Sequence, residues 1–234
     1  MEQAFRLQAL SALAGRYDVV YADPPWPHYG DPNKDAAAGK HYSLMSLEEI
    51  CALPIKSLFR TKQGALFLWA TSARLELGID AIRAWGMHFR GVAFNWVKTT
   101  QAGSIIHGQG VPPTGTKPTS EFCLLATTRR TGRPFPLLNS AMGQVVLHAR
   151  GRHSEKPAVI REKIVTLYGD RPRIELFARE RVVGWDFWGD DPKLDDGAFD
   201  ANVQSVDVAQ PEIGAAGRDA CSGGALDSGC GGGR

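Results

Sequence analysis

Tyr17-Asp18-Val19-Val20-Tyr21-Ala22 runs directly into Asp23-Pro24-Pro25-Trp26. The first six residues are rich in β-branched and aromatic types, the pattern of a parallel strand buried on both faces. Open α/β sheets place their ligands at the C-terminal ends of such strands. Here that end carries an acidic acceptor, two prolines that stiffen the following loop, and an aromatic ring. The combination suits one task, which is to hold a planar base that presents an exocyclic amine. A carboxylate and a proline carbonyl can accept the amine's hydrogens, and the ring can wall the base.

Working outward, the spacing predicts further strands over 65–70, 92–98, 121–127, 144–148 and 173–178, with a short one near 182–185. Ser46-Leu47-Glu48-Glu49 has the form of a capping box, so a helix is expected from there to about Leu58, interrupted at Pro54. Residues 72–85 place Leu75, Ile79, Ile82 and Trp85 near one helical face, with Gly86 as a stop. A third helix is expected over 157–168, with Pro157 in its first turn and Gly169 past its end. Strands alternating with helices of this length predict a doubly wound, mostly parallel α/β sheet. Two long connections, 27–44 and 99–120, follow strand ends and are placed to form lips around a pocket.

The amine-holding tetrapeptide belongs to a wider resemblance. VVYADPPW at 19–26, GALFLWATSARLELG at 64–78, FNWVKT at 94–99, Glu121-Phe122-Cys123-Leu124, Arg152-His153-Ser154-Glu155-Lys156-Pro157 and IELFAR at 174–179 together resemble the MT-A70 family of N6-adenine methyltransferases. The resemblance covers roughly residues 15–190. It implies S-adenosylmethionine as cofactor and adenine in nucleic acid as substrate, DNA in some members and RNA in others. No glycine-rich fingerprint follows the first strand, and the IELFAR strand comes last. That order resembles a circularly permuted, Rossmann-like methyltransferase fold.

On this resemblance Asp23, Pro24, Pro25 and Trp26 are the catalytic residues. Lys156, Arg179, Asp18 and Asp190 are assigned to the cofactor. Lys156 and Arg179 offer donors for its carboxylate or ribose, and Asp190 is an acceptor for ribose hydroxyls. Tyr42 and Lys98 are assigned to the substrate. Arg74, His107, Lys117, Arg150 and Arg152 are candidates for phosphates around the mouth. Two positions depart from the family. Arg181-Val182 stand where RNA-directed members carry His-Asn, and Gly189-Asp190 where they carry Asn-Gln. No His, Cys or Asp spacing matches a metal site, so no metal is expected.

The chain has 234 residues and a net charge of +2. Residues 191–234 hold eight acidic and three basic residues, a net of −5, which leaves +7 on residues 1–190. A positive body favours a nucleic-acid backbone. Residues 1–198 are expected to form one methyltransferase domain. Residues 199–234, rich in Gly, Ala, Ser and Asp, are expected to be a disordered tail. The four cysteines, at 51, 123, 221 and 230, are scattered. With no signal or membrane-spanning stretch, they suggest a reduced, cytoplasmic protein. DNA is favoured over RNA as partner, a homo- or heterodimer stays open, and a non-catalytic scaffold subunit is the alternative from another class.

Overall fold

The computed structural model describes residues 8–27, 45–108, 114–152 and 154–189. Seven strands form one sheet: β1 (Val19–Ala22), β2 (Ala65–Thr71), β3 (His88–Thr99), β4 (Ser120–Thr127), β5 (Val145–Ala149), β6 (Arg173–Leu176) and β7 (Asp186–Trp188). Their spatial order is β5-β3-β4-β2-β1-β6-β7. Every neighbouring pair is parallel except the two made by β4, which runs antiparallel to both β2 and β3. The first strand of the chain therefore lies in the middle of the sheet beside the sixth, as the permuted order requires.

β1 and β2 are buried on both faces, and alternate side chains enter two different cores. Val20, Ala22, Leu66 and Leu68 meet Ile50 of helix α1 (Leu47–Cys51) and Ile82 of helix α2 (Leu75–Ala84). Val19, Tyr21, Phe67 and Trp69 meet Ile160, Ile164 and Tyr168 of helix α3 (Val159–Tyr168). Helices on both faces make the sheet doubly wound, which explains the near-continuous apolar runs.

Local chemistry sets most boundaries. Ser46 and Glu49 form a reciprocal capping box at α1. Pro54 ends that helix, and the chain resumes as a 3-10 turn over Ile55–Leu58. Gly86 and Gly169, at φ +67° and +83°, stop α2 and α3. The strand expected near 182–185 lies instead at Asp186–Trp188. Gly184, at φ +77°, turns the chain there, and Trp185 N–H closes on Val182 O at 3.0 Å. A helical stretch over residues 8–11, which buries Leu10, has no counterpart in the sequence expectations. The connection 27–44 lies outside the described residues beyond Pro27, as does the 199–234 tail. The start of the 99–120 connection folds back on β3, with Thr99 bridged to Ile105. Among the described residues no helix is long and apolar enough to cross a membrane, and Cys51 and Cys123 are free thiols.

Candidate active site

A cleft of about 270 Å³ opens at the edge where β1, β2 and β6 end. Asp23 to Pro27 form its floor. Trp69, Ala70, Thr71 and Arg74 come from the end of β2 and the turn after it, Ser154 and Lys156 from the segment before α3, and Arg179 from beyond β6. Because β4 runs antiparallel, its first residues lie at this same edge. Glu121 pairs in register with Thr71 and Trp96 and so enters the cleft.

The tetrapeptide is held rigidly. Trp26 N–H donates to Pro24 O at 2.8 Å, and Met45 N–H to Pro25 O at 3.2 Å. The Trp26 indole N–H donates to Trp69 O at 2.9 Å, which fixes the ring as a wall. Trp69 in turn donates its indole N–H to the buried Tyr21 hydroxyl at 2.6 Å. Burial pushes that phenol well above its ordinary range, so it remains neutral.

Four ionic groups alternate in sign across the cleft. Lys156 Nζ donates to Asp23 Oδ2 at 2.8 Å and lies 3.4 Å from Glu121 Oε2. Glu121 Oε1 accepts from Lys98 Nζ. Burial by itself would lower Lys156, but Asp23 and Glu121 outweigh it and raise the ammonium above its ordinary value. Burial would raise Glu121, but Lys156 and Lys98 outweigh it and hold the carboxyl low. Both are therefore charged near neutrality. Among the described residues nothing is shown bonding Asp23 Oδ1, and the Pro24 carbonyl keeps a second lone pair; both residues line the cleft.

The MT-A70 family model matches residues 17–191, which spans every strand and the whole cleft. The chain belongs to the MT-A70 family. It is 30% identical over 191 residues to the Type II methyltransferase M.MunI of Mycoplasma sp., covering 74% of this chain and 77% of that one. It is 33% identical over 167 residues to the Drosophila melanogaster N(6)-adenosine-methyltransferase MT-A70-like protein, covering 71% and 25%. It is 30% identical over 172 residues to the human N(6)-adenosine-methyltransferase catalytic subunit METTL3, covering 74% and 27%. The chain thus spans about a quarter of the length of these two animal relatives. Membership brings the enzyme class, an S-adenosylmethionine-dependent adenine-N6 methyltransferase.

Against this MT-A70 cleft the sequence assignments divide. Asp23, Pro24, Pro25, Trp26, Lys156 and Arg179 are brought together, and Arg74 joins them. Lys98 stands one step back, paired with Glu121 and not with Asp23. Asp18 is corrected. It lies before β1 at the opposite edge, 2% exposed, with its carboxylate held by Arg60 at 2.7 and 2.9 Å and by Arg171 at 3.4 Å. A buried anion with two guanidinium partners anchors the sheet there, a strand length from the cleft. Tyr42 and Asp190 lie outside the described residues. Glu121 and Trp69 were missed as site residues. The signal for Glu121 was available only by recognising β4 as antiparallel, which turns a strand start into a cleft residue.

S-adenosylmethionine carries a carboxylate, an ammonium and a sulfonium. The cleft offers cations at Arg179 and Lys156 and anions at Asp23 and Glu121, so its donors and acceptors fit both signs. Lys156 is shared by two carboxylates, and Arg179, which lines the cleft beyond β6, offers a guanidinium to an anionic group. Behind Arg179 the chain turns through Phe177 at φ +60°, packed edge-on against Trp188. Gly189 passes so close that a Cβ there would sit 2.5 Å from Ala178 O.

Proposed function

We propose that this enzyme methylates the N6 amine of adenine in DNA, by direct in-line attack on a flipped or unpaired base. The observation that carries the reading is the pair of acceptors left at Asp23 Oδ1 and Pro24 O, beside a wall of Trp26 and Trp69. S-adenosylmethionine, when bound, supplies a methyl group already activated on a sulfonium.

Arg179 holds the cofactor from the β6 side, with Lys156 at the junction of cofactor and substrate. Asp23 Oδ1 accepts one hydrogen of the adenine amine and Pro24 O the other. That pairing draws the nitrogen toward tetrahedral geometry and frees its lone pair from the ring. Lys156 decides which Asp23 oxygen faces the amine by occupying the other. Glu121 and Lys98 hold Lys156 in place. As the amine nitrogen gains positive charge, the carboxylate at Oδ1 stabilises its N–H and is the first acceptor for the departing proton. A preorganised acceptor of this kind is worth about 10²–10³ in rate.

The acceptors sit at the strand ends within the cleft, where a base stacked in a duplex cannot reach. The adenine must therefore be extruded or single-stranded. DNA is favoured because the Type II methyltransferase relative, matched over most of both chains, is not named for adenosine, a ribonucleoside. The two animal N(6)-adenosine relatives named above are matched over about a quarter of their length.

The test is nucleoside mass spectrometry after incubation with methyl-labelled S-adenosylmethionine and either single-stranded DNA, duplex DNA or RNA. N6-methyldeoxyadenosine is the expected product. Label confined to RNA adenosine would overturn the DNA assignment. Cofactor and nucleic-acid binding without any product would favour a scaffold subunit.

A further inference from the structure

The edge of the sheet opposite the cleft is strongly cationic, and its cations are organised. Loop 60–63 precedes β2 and loop 128–133 follows β4, so the antiparallel pairing brings both to this edge. They are braced together. Thr128 N–H donates to Gly64 O at 3.2 Å, and its hydroxyl to Lys62 O at 2.8 Å. Arg90, near the start of β3, donates to Arg130 O. Thr127 bonds Arg129 O through its hydroxyl at 2.7 Å, and Gly132, at φ +76°, turns the loop before Arg133. Arg60, Lys62, Arg90, Arg129, Arg130 and Arg133 are all exposed.

The carboxylates toward this edge do not offset them. Asp18 is buried between Arg60 and Arg171. Asp170 is paired with Arg173, and Asp186 begins β7, three strands away from β2 in the sheet. Cations often gather at helix C-termini to oppose the helix dipole. That account does not reach Lys62, Arg129 and Arg130, which stand on strand loops. Guanidinium groups and an ammonium on two cross-braced loops form a donor set suited to phosphate diesters.

We propose that this edge is a second nucleic-acid site, which takes the sugar–phosphate backbone of the substrate polymer without reading sequence. The inference rests on the nucleic-acid substrate argued above. β2 alone separates the two edges by about 20 Å, at roughly 3.3 Å per residue. The two edges face opposite ways along the strands, so a straight duplex laid across the cleft mouth leaves the far edge uncovered. The site therefore holds a different stretch of the same polymer, either wrapped around the enzyme or belonging to a distant segment. Its effect is to retain the enzyme on long DNA and leave the methyl-transfer step unchanged.

The experiment compares wild type with Lys62→Gln/Arg129→Gln/Arg130→Gln on two duplexes carrying one target, of about 12 and about 200 base pairs, across a salt series. The variant should raise KM on the long duplex about tenfold or more and flatten the salt dependence of binding by about two to three in log–log slope. On the short duplex KM should be unchanged, and kcat unchanged on both. Equal effects on both lengths, or none on either, would overturn the proposal. So would a changed oligomeric state of the variant in sedimentation with the KM ratio intact, which would make this edge a contact between copies. Failure of the DNA reading itself shows separately, as wild type inactive on the short target both as duplex and as single strand.

Discussion

Lys156 Nζ and Asp23 Oδ2 stand 2.8 Å apart and join residues 133 positions distant in the chain. Both side chains are largely buried, at 12% and 17% exposure. Removing one partner of a buried pair costs about 3–5 kcal/mol, because the other charge stays uncompensated. The pair therefore ties the segment before α3 to the catalytic loop more firmly than a surface ion pair would.

Lys156→Met should leave Asp23 and Glu121 facing one another with no cation between them. Glu121 then loses one of the two cations that hold its carboxyl low, so the acid limb of the rate–pH profile should move upward, and maximal rate should fall. Single-turnover rates from acid to mildly alkaline pH measure this. An unmoved acid limb would separate Lys156 from the catalytic carboxylate.

Glu121→Gln should remove one of the two carboxylates that share Lys156 and let the ammonium settle wholly on Asp23. Methyl transfer should slow about tenfold or more, with cofactor affinity less affected. The stability signature has a definite sign. Glu121 is held below its ordinary value of 4.5, so its contribution is present above that value and lost as pH falls through the depressed one. Lys156 is held above its ordinary 10.5, so its contribution is present below that value and lost as pH rises through the raised one. Urea unfolding of wild type and variant should differ by a constant amount around neutrality. The difference should shrink once pH drops below the ordinary carboxylate range.

What the sequence revealed followed from local signals. Apolar runs placed β1, β2 and β6, capping chemistry placed α1, and Asp23-Pro24-Pro25-Trp26 placed the floor of the cleft. What it concealed depended on pairing. Nothing in Ser120–Thr127 states that this strand runs against its neighbours, so the sequence presents Glu121 as a strand residue and Lys98 as a substrate contact, not as its partner. Asp18 misled for a related reason. An aspartate beside a core strand belongs to whichever edge the strand direction gives it, and its guanidinium partners, Arg60 and Arg171, are 42 and 153 positions away.

Gly189→Ala should destabilise the fold by about 1–3 kcal/mol, since its Cβ would press on Ala178 O at 2.5 Å. The same displacement moves the Phe177–Arg179 turn, so cofactor affinity should fall with it. Thermal melting with and without S-adenosylmethionine shows both effects. A lowered melting temperature with undiminished stabilisation by ligand would detach this turn from the cofactor.

Arg179→Ala should weaken S-adenosylmethionine binding about tenfold or more and leave the melting temperature of the ligand-free protein near wild type. A charge-assisted hydrogen bond of this type contributes about 1.5–3 kcal/mol. Calorimetric titration in excess chelator should give one-to-one binding for wild type. Affinity equal to wild type in the variant would move the cofactor away from β6.

The most direct test of the account is Asp23→Asn under single-turnover conditions. Asn keeps the shape and forms turns as readily as Asp. Its one acceptor oxygen must satisfy Lys156, so its NH₂ faces the cleft and presents donors to an amine that needs an acceptor. Transfer should fall by about 10²–10³, with melting temperature and cofactor affinity little changed. Near-normal transfer by the Asn variant would contradict the claim that the Asp23 carboxylate accepts the amine hydrogen.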